Sequence, residues 1–138
     1  AENISATKKK DDWAAQGWDV NTSETNPKQY FYFDLTVASG KTLLLTGSNI
    51  GFFLNGGDAD IYIQYSINGA TYKNAFTTTL TADSETEFVL PLGTIADLAS
   101  VASGSNVIFR IFAISTNAKT KVGMKKGDDS FSIYGNVE

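Results

Sequence analysis

The feature that most constrains this chain is a strict two-residue alternation at Tyr30-Phe-Tyr-Phe-Asp-Leu-Thr-Val37. Successive side chains of a β-strand point to opposite faces, so Phe31, Phe33, Leu35 and Val37 fall on one side and Tyr30, Tyr32, Asp34 and Thr36 on the other. One face is core and the other is not. The same period returns from Asp60 to Ser66, where Ile61, Ile63 and Tyr65 oppose Tyr62, Gln64 and Ser66. Between these runs, Ala38-Ser39-Gly40-Lys41 reads as a turn into a Leu-rich strand from Thr42 to Gly47, and Asn55-Gly56-Gly57 reads as a second turn.

Asn68-Gly69 then stands where a type I′ turn, with φ positive at both central residues, would close a hairpin onto Ala70 to Lys73. After a polar stretch from Thr77 to Thr81, Glu87 to Leu92 reads as a strand that ends near Pro91, because proline has no N–H to give to a ladder. Ile95 to Val101 is the one segment with helical spacing, a short helix or turn. Val107 to Ser115 is apolar on both alternating sets except at Arg110, the pattern of a central strand. Ser130 to Val137 supplies the last strand, with Phe131 and Ile133 inward, and Asp19-Val20 joins the first. Short strands separated by Gly, Asn, Asp and Ser turns predict an all-β fold: a two-sheet antiparallel β-sandwich of the jelly-roll kind. At 138 residues the chain has the length of one such domain, with residues 1–10 as a flexible lead-in.

Charge and composition exclude several classes of function. The net charge of −4 argues against nucleic acid, whose backbone is bound by clustered Lys and Arg. The basic runs Lys8-Lys9-Lys10 and Lys119, Lys121, Lys125, Lys126 are flanked by Asp11-Asp12 and Asp128-Asp129, as in solvated loops. The apolar stretches Gly51 to Leu54 and Val107 to Ile114 fall short of the roughly 20 residues that a membrane-spanning helix needs, so membrane insertion is not expected. Without Cys or His the chain has no disulfide, no thiolate chemistry, and neither the commonest general base nor the commonest transition-metal ligand. The start at Ala1-Glu2-Asn3 suits a secreted or cell-surface chain after removal of a signal peptide, although a cut within a longer chain would look the same.

The aromatic residues that the alternation leaves on the polar face are Tyr30, Tyr32, Tyr62 and Tyr134. A sugar ring has an apolar C–H face and a hydroxyl rim, so its binder wants flat rings beside fixed donors and acceptors. Gln64 lies two residues from Tyr62, and Arg110 joins them if its strand belongs to the same sheet. The plainer alternative is that tyrosines suit exposed strand positions and that an acidic neighbour such as Asp34 holds Arg110. Trp13 and Trp18, in a segment that reads as a loop, are either exposed stacking platforms or plugs at the end of the sandwich. Asp11-Asp12, Asp58 with Asp60, and Asp128-Asp129 could offer oxygen ligands to calcium, but Asn55 to Asp60 lacks the bidentate Glu of a dedicated loop, and solvated turn aspartates are the default. Catalysis of glycoside hydrolysis would need two opposed carboxylates. Asp34, Asp60, Glu85 and Glu87 show no context that separates their roles, and no phosphate loop occurs, so the chain is not expected to be an enzyme.

Three segments together resemble secreted bacterial jelly-roll modules of the carbohydrate-binding type: Tyr32-Phe-Asp-Leu-Thr-Val-Ala-Ser-Gly-Lys-Thr-Leu43, Ile61-Tyr-Ile-Gln-Tyr-Ser-Ile-Asn-Gly69 and Asp129-Ser-Phe-Ser-Ile-Tyr-Gly135. Asn106-Val-Ile-Phe-Arg-Ile111 is similar to the Arg-bearing penultimate core strand of such modules. The resemblance implies non-catalytic binding of a polysaccharide or oligosaccharide by a part of a larger exported protein. It leaves two sites open, the sheet face with Tyr30, Tyr32, Tyr62, Gln64 and Arg110, or the end loops with Trp13 and Trp18. In that family a paired acid before the last strand often helps to hold a structural calcium ion. Here Asp129 matches the first position and Ser130 stands at the second, so that metal is implied through Asp129 alone. A structural or adhesive β-sandwich domain of a bacterial surface protein, binding another protein through an edge strand or apolar patch, is the competing expectation.

Overall fold

The computed structural model describes residues 5–9, 12–16, 27, 30–115, 119–124 and 131–138. Its elements are β1 (Ser5–Lys9), β2 (Asp12–Gln16), β3 (Phe31–Thr36), β4 (Leu43–Asn55), β5 (Ala59–Ile67), β6 (Lys73–Leu80), β7 (Glu85–Leu90), a 3-10 turn at Leu92–Thr94, the short helix α1 (Ala96–Ala99), β8 (Asn106–Ser115), β9 (Lys121–Met124) and β10 (Phe131–Val137). Every strand pairing among the described residues is antiparallel. One sheet runs β3-β8-β5-β6, and the other runs β1-β2-β9-β4 with β7 and β10 also on β4. The architecture is an all-β sandwich of two antiparallel sheets.

The pairings nest. Beginning from the β5–β6 hairpin, β4 pairs with β7, β3 with β8 and β2 with β9. A long hairpin rolled up in this way, with its outer pairs falling alternately into the two sheets, gives jelly-roll strand order. β4 is the hinge of the second sheet. Ser48 stands opposite both Ile133 of β10 and Leu90 of β7, while Phe52 stands opposite both Met124 of β9 and Thr86 of β7. A strand has two edges, so β7 holds one of them and β10 and β9 share the other in tandem.

The core forms between the sheets from the alternation that the sequence displays. Ile61, Ile63 and Tyr65 of β5 and Val107, Phe109 and Ile111 of β8 meet Ile50, Phe52 and Leu54 of β4, all of them buried. Phe33 stacks on Phe109 with ring centroids 5.1 Å apart. α1 is too short to hold as a helix on its own, and it stands because Leu98 is fully buried against this core.

Several expectations hold and others are corrected. β3 alternates between half-buried and exposed residues as its pattern requires, and β8 lies between β3 and β5 as a central strand. Asn68 and Gly69 have φ of 54° and 74°, and the Ala70 N–H donates to Ile67 at 3.1 Å, so the turn forms. The ladder nevertheless resumes only at Lys73, opposite Tyr65, and β6 runs on to Leu80. Thr77 to Leu80 is thus strand and not a polar interval, because threonine fits a pleated, half-exposed surface. The Leu-rich strand begun near Thr42 continues to Asn55, carried past Gly47 by partners on both edges. Near the N-terminus, the lead-in contributes β1, and the loop expected around Trp13 is β2, ordered by pairing with β9. Asp19-Val20 lies outside the described residues.

One glycine is tightly constrained. At the bulge between Tyr134 and Gly135 of β10, a Cβ on Gly135 would lie 2.5 Å from the backbone oxygen of Leu44, and no flexible side chain is there to yield. Gly135→Ala should therefore cost about 1–3 kcal/mol through forced backbone movement. Equilibrium urea unfolding checks this, and an unchanged midpoint would show that β10 moves freely on β4.

Candidate functional site

The outward face of the β3-β8-β5-β6 sheet carries the residues of interest, and register places them. Tyr32 stands opposite Arg110, and Arg110 stands opposite Gln64 on its other side, so three neighbouring strands present a row at one level. Tyr62 is opposite Phe112, and the two rings stack flat with centroids 5.0 Å apart. A bulge then changes the parity of β6. Ile63 pairs with Phe76 but Gln64 pairs with Asn74, which leaves Ala75 as the extra residue and turns Asn74 to the same face as Thr77.

Arg110 is the chain's only arginine and the centre of this face. It is 9% exposed. Its Nε donates to Gln64 Oε1 at 2.7 Å, and Gln64 Nε2 donates to Asn74 Oδ1 at 2.8 Å. The guanidinium carbon lies 3.7 Å from the centroid of Tyr72, 5.8 Å from that of Phe112 and 5.9 Å from that of Tyr30. Guanidinium over an aromatic ring is an electrostatic contact that strengthens as water is removed. Burial lowers the pKa of Arg110 and raises that of Tyr72, by withdrawing each charged form from water.

The structure thus brings together Tyr30, Tyr32, Gln64 and Arg110, with Tyr62 next to them through Phe112. Tyr32 is 63% exposed and meets Tyr30 edge-on at 6.3 Å. Tyr134 does not belong here. It is on β10 of the other sheet, where its hydroxyl accepts from Asn49 Nδ2 at 3.2 Å. Among the described residues no acid holds Arg110. Asp34 accepts from Asn106 Nδ2 at 3.0 Å, and Lys73–Asp97 is the one ion pair among the described residues. Trp13 falls in β2, while Trp18 and Asp129 lie outside the described residues. Tyr72 is the site residue that sequence reasoning missed. The signal was its place two residues before Asn74, but using it required knowing of the bulge at Ala75.

The carboxylates do other work. Asp58 accepts the Ala82 N–H at 2.8 Å and Asp83 accepts the Gly56 N–H at 3.0 Å, which ties the loops at this end of the sandwich together. Asp60 accepts the Thr79 hydroxyl at 2.6 Å, while Glu85 and Glu87 stand on β7 of the other sheet. Among the described residues no three or more acidic side chains cluster as a metal ion would need, and no helix is long and apolar enough to cross a membrane.

A groove of about 420 Å³ opens between the β5–β6 hairpin and α1, lined in part by Tyr65, Lys73, Asp97, Ser100 and Ser105. Its charged groups engage one another. Lys73 Nζ lies 2.7 Å from Asp97 Oδ2, which also accepts the Tyr65 hydroxyl at 2.9 Å. A closed set of this kind has less to offer a ligand than Arg110 has.

No protein-family model matches the chain, and no curated protein matches it. Among solved structures it is similar to a chain described as "CBM4 structure and function", with a TM-score of 0.48 and 11% identity over 96% of this chain and 78% of that one. It is also similar to a chain of "Structure of infectious bursal disease virus Gx strain", with a TM-score of 0.39 and 12% identity over 98% of this chain and 36% of that one. At these scores neither likeness bears on the site, which stands on its own residues.

The groove gives a pH test. Burial, helped by the hydrogen bond to Asp97, pushes the Tyr65 phenol up to about 12 from 10.0. Between those values the unfolded chain has released a proton that the folded chain keeps, so stability is complete below the lower value and falls as pH rises through the upper one. Tyr65→Phe should lose less stability than the parent between about pH 9 and about pH 12. Urea midpoints at both ends of that range check it, and equal losses would show that Tyr65 ionises as an exposed tyrosine does.

Proposed function

We propose that this chain is a non-catalytic carbohydrate-binding domain of an exported or cell-surface protein, and that its ligand lies across the outward face of the β3-β8-β5-β6 sheet. One observation carries the reading: the guanidinium of Arg110 is fixed between Gln64 and the ring of Tyr72 in the middle of a sheet face, with the exposed ring of Tyr32 on the adjoining strand. A sugar ring can stack on Tyr32 while its hydroxyls accept hydrogen bonds from Arg110, the pairing of apolar platform and directed donor that such ligands require. Gln64 has a different part from the one its exposed strand position implied. Its amide is engaged on both sides, so it positions Arg110.

The adhesive alternative needs an open, apolar strand edge. β7 holds an edge of its sheet, but it carries Glu85 and Glu87 and gives way to Pro91, features that oppose edge-to-edge pairing.

Affinity electrophoresis and pull-down against soluble and insoluble polysaccharides test the proposal. Retention by one glycan class is expected, and Tyr32→Ala should weaken it by about 1–3 kcal/mol, the usual cost of removing an aromatic anchor. Unchanged affinity in that variant would remove this face. A change in tryptophan fluorescence on binding would move the site to the segment of Trp13 and Trp18.

A further inference from the structure

Arg110 is unusual in what surrounds it. A guanidinium keeps its proton at any ordinary pH, and taking a charge out of water is costly unless an opposite charge or a full set of hydrogen bonds compensates. With only 9% of its surface exposed, Arg110 has no carboxylate within ion-pair distance among the described residues, where Lys73–Asp97 is the only such pair. The two acids of the same face are engaged elsewhere, Asp34 by Asn106 and Asp60 by Thr79. Compensation comes from neutral groups, the Gln64 carbonyl at Nε and the rings of Tyr72, Tyr30 and Phe112. That leaves the two Nη groups, and they make no hydrogen bond to a described residue.

We infer that the glycan is acidic, and that a uronic acid carboxylate of it seats on the Nη groups of Arg110; this rests on the carbohydrate reading above. Because Nε is held by Gln64 and the plane of the guanidinium by Tyr72, the Nη pair forms an end-on fork whose geometry matches the two oxygens of a carboxylate. A hydroxyl can accept a hydrogen bond from the same fork, but it cannot neutralise the charge. The bulge at Ala75 serves this arrangement by bringing Asn74 onto Gln64. This chain carries a net charge of −4, so a polyanion is repelled at long range and must be held by a local contact.

The test uses a panel of uronate polymers, polygalacturonate, alginate and glucuronoxylan, each beside its carboxyl-reduced form, in affinity electrophoresis at about 0.5 M salt to suppress binding to exposed lysines. At least one acidic polymer should bind roughly tenfold or more tightly than its reduced form. Titrating the corresponding acidic oligosaccharide into the parent protein should also shift the Nε–H signal of its single arginine in a ¹⁵N-correlated NMR spectrum, a measurement that needs no variant to fold. Arg110→Gln, where it folds, should abolish the preference. Equal binding of acidic and reduced forms, or retention of neutral or sulfated glycans alone, would overturn the inference and leave the carbohydrate reading in place. An acid preference with an unmoved Arg110 signal would remove Arg110 as the seat. Binding to no glycan at all by the folded protein would end both.

Discussion

A cation in the middle of a strand that is bonded on both edges cannot turn away, and the outward face of the β3-β8-β5-β6 sheet is built around that fact. β8 has β3 on one side and β5 on the other, so the backbone at Arg110 is fixed before any side chain chooses a rotamer. A slip of one residue in either pairing would exchange Arg110 with Phe109 or Ile111, sending the charge into the core and the rings into water. The burial of Phe109 and Ile111 thus sets the register that aligns Tyr32, Arg110 and Gln64. What keeps the cation tolerable is a set of neutral contacts, the amide of Gln64 and the surrounding rings, each supplied by a different part of the chain.

The groove beside α1 and the sheet face contrast in this respect. At the groove beside α1, Lys73, Asp97 and Tyr65 close on one another, and charge is cancelled within the protein. At the sheet face the charge is held in place and oriented, and no described residue cancels it. A closed network contributes to the fold, whereas an oriented and uncompensated donor has interaction energy left for something outside the chain.

Much of the fold was legible because it follows from side-chain period. The alternation from Tyr30 to Val37 and the doubly apolar run around Arg110 gave the edge and central strands of one sheet, and Asn68-Gly69 gave its turn. The face was legible to the same extent: Tyr30, Tyr32, Gln64 and Arg110 follow from parity and from β8 lying between β3 and β5. What could not be read depends on pairing partners that are distant in sequence. The placement of Tyr134 on the other sheet is decided by β10 joining β4, and the recruitment of Tyr72 is decided by one extra residue at Ala75. A bulge leaves no mark in local composition, yet it reverses which side chains share a face. The N-terminal strands were missed for a similar reason, since Asp12–Gln16 becomes a strand through β9 and not through its own weak pattern.

The nesting of strand pairs also orders the events by which the chain can reach this shape. Joining β2 to β9 first would mean closing a loop that contains nearly every other strand, and loop-closure entropy rises with the length enclosed. Once the β5–β6 hairpin is made around Asn68-Gly69, however, the ends of β4 and β7 are already near one another, and each completed pair shortens the effective loop of the next. The route of least entropic cost therefore zips outward from the hairpin. On that route β3 and β8 close one step later over a partly formed sheet, with Gln64 of β5 already there to receive the cation.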